Sequence, residues 1–440
     1  MALGCGSDGA RILDADPDAI DPSGASAGTP GATPIPSAPS APEPSAPTGA
    51  AGSGGAGGSA DGGGAGAPTA ADGGGSGLPS RDRGEFAWSL PPGFPLPIVP
   101  ADNPMTWPGI ELGRHLFHDE RLSENETTAC ATCHRQELAF TDGRATALGS
   151  TGQSHTRGSM SLANVAYAAT LTWSHPYLTE LERQAAVPLF GETPVELGWS
   201  SEAELQARLA SIPEYEQLFA DAFPDEAVPL TVANAARALA SFERTLISGR
   251  SAYDRWAYDT DESALSDSAR RGFELFYSEK LECFHCHLGF DFSDQVSYSG
   301  RAFPETPFHN TGLYNIDGQG AFPAASPGIY EVTQDPADMG KFKAPTLRNI
   351  AVTAPYMHDG SIATLSEVLD HYAAGGRSIA SGPNAGVGSE SPLRSELIRG
   401  FELSDRERAD VIAFLESLTD DEFLANPAFA NPWPDRNPSP

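Results

Sequence analysis

Basic residues are scarce in this 440-residue chain. Lysine and arginine number 27 against 59 acidic residues, a formal net charge of −32. That balance argues against nucleic acid or an anionic membrane surface as partner, since both need a cationic face. Long apolar runs are missing: nothing approaches the roughly 20 residues of a membrane span. Cysteines number five, too few for a disulfide scaffold at this length. Phe, Trp and Tyr are absent from the first 80 residues, whose only basic residue is Arg11. Strand-like alternation is scarce. The length allows roughly two or three domains and a sizeable core.

Residues 1–80 hold 20 of the 46 glycines and 11 of the 38 prolines. Such a segment cannot bury enough apolar surface to offset its ordering entropy, so it is predicted to be a disordered, flexible tether. At its head, Ala2-Leu3-Gly4-Cys5 resembles a bacterial lipoprotein acceptor site, with the leucine one place nearer the cysteine than usual. The expectation is a lipid anchor at Cys5; the rival is a stray exposed cysteine. Folded sequence begins near Phe86. Residues 231–248 carry a helical stripe of Val232, Ala235, Leu239, Phe242 and Leu246. Ser404 with Glu407 reads as a capping box opening a helix with Val411, Leu415 and Leu418 on one face. The body is predicted to be mainly α with irregular loops.

The remaining four cysteines come in pairs. Cys130-Ala131-Thr132-Cys133-His134 and Cys283-Phe284-His285-Cys286-His287 both have the form C-x-x-C-H. On one helical turn, two cysteines three apart can both reach a porphyrin's vinyl groups, and the adjacent histidine comes under the iron. Zinc would want a closed four-ligand set from two such pairs. Upstream, Gly113, Phe117 and Leu122 recur at the same offsets as Gly272, Phe276 and Leu281. The chain therefore reads as a duplicated unit with two covalent c-type haems.

Several stretches resemble the bacterial di-haem cytochrome c peroxidase/MauG superfamily. They include Leu112-Gly113-Arg114, Phe140-Thr141-Asp142-Gly143, Ala240-Ser241-Phe242-Glu243-Arg244-Thr245-Leu246, Lys343-Ala344-Pro345-Thr346-Leu347-Arg348-Asn349-Ile350 and Pro355-Tyr356-Met357-His358-Asp359-Gly360. Within it, residues 159–167 and 188–198 look most like the MbnH branch. The resemblance implies two tandem cytochrome c-like haem domains behind the tether of residues 1–85. Residues 86–260 would form the peroxidatic domain and 261–440 the electron-transfer domain.

The resemblance also implies roles. The second haem's distal ligand falls on Tyr372. Thr364 and Glu367 can cap the helix there, and Leu365, Leu369 and Tyr372 then share a face, with His371 rotated about 100° away. Tyrosine here is MauG-like, whereas peroxidases carry methionine; an anionic phenolate favours ferric and higher-valent iron. His371 and Met339 are the alternatives. The first haem, on His134, is expected to be five-coordinate and open to hydrogen peroxide, with His155 as the alternative sixth ligand. Gln184, Pro188 and Glu196 match the distal acid–base set, with Glu192 as fallback or either acid merely a solvated carboxylate. Trp173 occupies the inter-haem position, as relay or as a buried aromatic. Calcium between the haems would use the carbonyls of Thr353 and Pro355, with Gly158 at the asparagine place.

Three functions compete. The first is peroxide-driven formation of a bis-ferryl-type state that oxidises a tryptophan of a small copper-binding, MbnP-like partner to kynurenine. The second is a di-haem peroxidase fed by a small cytochrome or cupredoxin. The third is a non-enzymatic electron-transfer cytochrome. Covalent haem of this kind implies export to the periplasm or cell envelope, with membrane contact only through Cys5. The charge on the folded part would suit a complementary protein partner.

Overall fold

The computed structural model describes residues 85–433. The expected anchor at Cys5 and nearly all of the tether lie outside the described residues. Helices dominate, as composition and periodicity lead one to expect. The first is α1 (Trp107–Phe117), opened by the Thr106 hydroxyl accepting from the Gly109 N–H. Next comes α2 (Cys130–Cys133), the first haem motif itself. Short α3 (Leu181–Gln184) and α4 (Ala186–Phe190) precede α5 (Glu202–Ala210), α6 (Pro213–Ala222) and α7 (Val232–Glu243). The second half brings α8 (Ala252–Tyr258), α9 (Asp267–Phe276), α10 (Tyr330–Thr333) and α11 (Leu365–Ala373). It closes with α12 (Asp405–Glu416) and α13 (Asp421–Leu424). Among the described residues the only sheet is one antiparallel pair, β1 (Ser378–Ile379) and β2 (Gly386–Val387).

Capping boxes form at both expected places. Ser404 with Glu407 starts α12, and Thr364 with Glu367 starts α11. The stripe on α7 is buried from Val232 to Phe242, but its last member, Leu246, lies past the helix end.

The sequence echo has a structural counterpart. Helix α1 packs on α7, and α9 packs on α12. At the first crossing, a Cβ on Gly113 would stand 1.9 Å from the Ala238 carbonyl oxygen and 2.8 Å from Phe242 Cβ. At the second, a Cβ on Gly272 would stand 1.9 Å from the Asp410 carbonyl oxygen and 2.8 Å from Phe414 Cβ. Only glycine lets either pair of helices approach so closely.

A second echo lies in two turns. Met160-Ser161-Leu162-Ala163-Asn164 and Pro345-Thr346-Leu347-Arg348-Asn349 occupy equivalent turns. Both asparagines are left-handed, with φ of 59° and 61°. The Asn164 N–H donates to the Leu246 carbonyl at 2.8 Å, and its Oδ1 accepts from the Ser248 N–H at 2.8 Å. The Asn349 N–H donates to the Leu418 carbonyl at 3.0 Å, and its Oδ1 accepts from the Asp420 N–H at 2.8 Å. Each asparagine thus ties its turn to the segment leaving α7 or α12. The two ties meet where Asn349 Nδ2 donates to Ser248 Oγ at 2.9 Å.

Two main apolar clusters back these crossings. Leu112, Phe117, Phe140, Phe219 and Phe242 anchor the first; Phe276, Phe292, Val411 and Phe414 anchor the second. Phe423 and Phe429, near the C-terminus, are buried in the first cluster, and Trp433 packs against it.

Candidate active site

Both C-x-x-C-H motifs open onto one cavity of about 1250 Å³. Cys130, Cys133, Cys283 and Cys286 are half-buried and none is in a disulfide. Cys130, Cys133 and Cys286, with both motif histidines, line the cavity, as does Cys283. The first motif is a turn of α-helix, whereas the second is a 3₁₀ turn, Cys283–His285.

The two histidines are held alike. His134 Nδ1–H donates to the Phe140 carbonyl at 2.8 Å, and His287 Nδ1–H to the Phe292 carbonyl at 3.0 Å. Phe140 and Phe292 are both left-handed, with φ of 62° and 50°. Their rings are fully buried. With Nδ1 taken up by a carbonyl, Nε2 is the nitrogen left to ligate a metal, and burial keeps each ring neutral by lowering its pKa. Thiol pairs, pinned axial imidazoles and a shared apolar cavity are the donor chemistry of covalent haem, and the residues fit two such groups.

Around the first motif, Gln184, Pro188 and Glu196 all line the cavity. Glu192 is exposed and does not. Desolvation pushes the Glu196 carboxyl up to about 7, near the value that suits a proton shuttle at neutral pH. His155 also reaches the cavity, with Nε2 3.5 Å from Glu196 Oε1. Burial lowers its pKa.

Around the second motif, Leu365, Val368, Leu369 and Tyr372 of α11 line the cavity. Burial raises the Tyr372 phenol, and the nearby Cys286 and Cys283 sulfurs add to the shift. The alternatives stand elsewhere. His371 is buried off the cavity, with its pKa lowered to about 4 by burial, and Met339 does not line it either.

Trp173 joins the two regions. Its indole Nε1–H donates to the Gly158 carbonyl at 2.8 Å, and its own carbonyl accepts from the Lys343 N–H at 2.9 Å. Gly158, Thr353 and Pro355 line the same cavity. Two further lining residues belong to motifs noted in the sequence but given no role there. Glu243 has Oε2 buried without a hydrogen-bond partner, and burial raises its carboxyl to about 8. His358 stacks on Phe342 with ring centroids 3.7 Å apart.

Residues 108–262 match the family described as di-haem cytochrome c peroxidase. The chain is 37% identical to the cytochrome-c peroxidase IdrP1 of Denitromonas iodatirespirans, over 75% of this chain and 87% of that protein. It is 36% identical to the methylamine utilization protein MauG of Methylorubrum extorquens, over 72% of this chain and 80% of that one. The chain belongs to the di-haem cytochrome c peroxidase/MauG family. Membership implies two c-type haems and a peroxide-dependent oxidoreductase. A solved structure described as a MauG-like protein associated with microbial copper homeostasis superposes with a TM-score of 0.77. It is 49% identical, covering 79% of this chain and 99% of its own. Among the described residues of this di-haem family member, no helix is long and apolar enough to cross a membrane.

Proposed function

We propose that this chain uses hydrogen peroxide to oxidise a tryptophan of a small copper-binding, MbnP-like protein to kynurenine. The observation that carries the reading is Tyr372, which lines the cavity beside the second motif while His371 and Met339 do not. The 49% identity to a MauG-like protein associated with copper homeostasis supports the same partner class.

Cys130, Cys133 and His134 would hold the first haem; Cys283, Cys286, His287 and Tyr372 would hold the second. Bound haem iron would supply the redox chemistry, taking two oxidising equivalents from each peroxide; opening the indole to kynurenine, with one carbon lost as formate, needs four and therefore two peroxides. Glu196 takes a proton from one peroxide oxygen and returns it to the other, which leaves as water. Gln184 orients the peroxide by hydrogen bond, and Pro188 shapes the wall beside it. Trp173, fixed at its indole nitrogen, relays electrons between the two regions. Burial alone keeps the Tyr372 phenol protonated; bound to the second haem's iron it would lose that proton, and its anionic oxygen would favour the oxidised state. Calcium would sit on the carbonyls of Gly158, Thr353 and Pro355. The unit of residues 86–260 would carry peroxide chemistry and that of 261–440 electron transfer. Export follows from the covalent haems, with Cys5 as anchor.

A peroxidase fed by a small cytochrome or cupredoxin is the second reading, favoured by His155 standing 3.5 Å from Glu196. The deciding experiment is mass spectrometry of a purified small copper-binding, MbnP-like protein after reaction with this enzyme and peroxide. Conversion of one tryptophan to kynurenine is expected. An unmodified partner, with rapid turnover of a reduced donor protein, would establish the peroxidase instead.

A further inference from the structure

Peroxide reduction needs protons that Glu196 does not supply. One hydrogen peroxide, two electrons and two protons give two waters. Glu196 moves a proton from one peroxide oxygen to the other, so both protons of that balance come from elsewhere. In both functional readings the electrons come from another protein, and they bring no protons with them. The cavity therefore needs a proton donor of its own.

Glu243 is placed to be that donor. It is the last residue of α7 and stands one turn beyond Leu239, and both line the cavity. The residue is 7% exposed, and its Oε2 is shut off from solvent with no hydrogen-bond partner. A carboxylate left in that state is costly, whereas a protonated carboxyl is far less so. The negative end of the helix dipole also works against ionisation. Desolvation raises the carboxyl to about 8, so it carries a proton at neutral pH. Its place is beside the first motif: its charge and that of Glu196 both act on the Cys130 sulfur.

The basic neighbour is engaged elsewhere. Arg244 and Glu182 are the charged groups that act on Glu243, and they are paired with each other. Arg244 Nη2 lies 2.7 Å from Glu182 Oε1 and 2.8 Å from Oε2. Asn103 Nδ2 donates to the same carboxylate at 2.7 Å. Against desolvation, these bonds hold the Glu182 carboxyl below its ordinary value. Where α3 packs on α7, Glu182 is thus the charged partner and Glu243 the acid.

We infer that Glu243 is a proton store for the first haem pocket, giving up its carboxyl proton as peroxide is reduced to water and regaining it from solvent. The carboxyl O–H breaks and a water O–H forms; no electron leaves Glu243. The inference rests on peroxide reduction at the first motif, which both functional readings share.

The test mixes holoenzyme with an equal amount of peroxide and then with ferrocyanide, which brings electrons without protons. Glu243→Gln keeps the size of the side chain and should react with peroxide at the parent rate, because that step needs no outside proton. The reduction that follows should slow by roughly 10²-fold, the lower end for a positioned acid. In the parent this reduction should slow as pH rises through about 8, where Glu243 loses its proton. That limb should be missing in Glu243→Gln, and Glu243→Asp, which keeps the acid, should recover most of the rate. Infrared spectra of the holoenzymes at neutral pH should show a protonated-carboxyl band that Glu243→Gln loses and Glu196→Gln keeps. A Glu243→Gln reduction as fast as the parent's, with the same pH profile, would overturn the inference, as would an unchanged infrared band. A parent inert to peroxide would overturn the functional reading and this inference with it.

Discussion

The Trp173 indole N–H and the Gly158 carbonyl lie 2.8 Å apart. Gly158 is itself fastened by its N–H to the His358 carbonyl at 2.9 Å. The indole is therefore positioned by backbone from two distant loops rather than by packing alone. Trp173→Phe removes both the donor and the easily oxidised ring while keeping an aromatic of similar shape. Two haems per chain are expected to remain by haemochrome assay. Partner conversion should fall at least about tenfold, a barrier increase of roughly 1.4 kcal/mol. Full activity in that variant would reduce Trp173 to a packing residue.

In the proposed mechanism Glu196 sets the pH dependence of the peroxide step. Its carboxyl is raised to about 7 by desolvation, and only the deprotonated form can accept a proton. The rate of reaction with peroxide should therefore rise as pH increases through about 7 and then level off. Glu196→Gln should remove this limb and slow the step by about 10²–10⁴-fold, the usual worth of a general acid–base group. Stopped-flow kinetics across pH would reveal it. Glu192→Gln is the control: that residue is exposed and off the cavity, so its profile should match the unmodified enzyme.

Tyr372 and His371 are adjacent on α11 but face different surroundings. Tyr372 lines the cavity, whereas both ring nitrogens of His371 are buried without a hydrogen-bond partner. Tyr372→Met should abolish the optical signature produced by peroxide and the conversion of the partner, with haem content retained. His371→Leu should leave that signature intact. The opposite pattern would make His371 the ligand.

The haem-attachment residues were legible from spacing alone. Two C-x-x-C-H motifs and a capping box at Thr364 are short-range signals, whereas Tyr372, Glu196 and Trp173 came from the family resemblance, helical periodicity only agreeing with Tyr372 on an apolar face. The carbonyls that pin His134 and His287 were not legible. They depend on left-handed Phe140 and Phe292, and no periodic pattern marks a non-glycine residue with positive φ. The paired Asn164 and Asn349 turns hid for the same reason, although Ser-Leu-Ala-Asn and Thr-Leu-Arg-Asn repeat the pattern in plain view. Burial of Phe423 and Phe429 in the first cluster involves too few residues to show a period at all.

The echo between Gly113 and Gly272 makes the strongest claim on stability. In each crossing the obstacle to a side chain is a backbone carbonyl only 1.9 Å from the added Cβ, so no rotamer change can relieve it. Gly113→Ala must push α1 off α7, and Gly272→Ala must push α9 off α12. Overpacking of a core usually costs about 1–3 kcal/mol, and a backbone clash belongs at the upper end. Alanine's better helix propensity returns about 1 kcal/mol, which is too little to cancel it. Each variant should therefore lower Tm by several degrees, roughly 2–4 °C per kcal/mol for a domain of 150–250 residues. Because the contacts at the two crossings are nearly identical, the losses should be alike. Calorimetry of the two holoenzymes decides the matter: a variant as stable as the parent would show that its crossing is looser than the equivalent one.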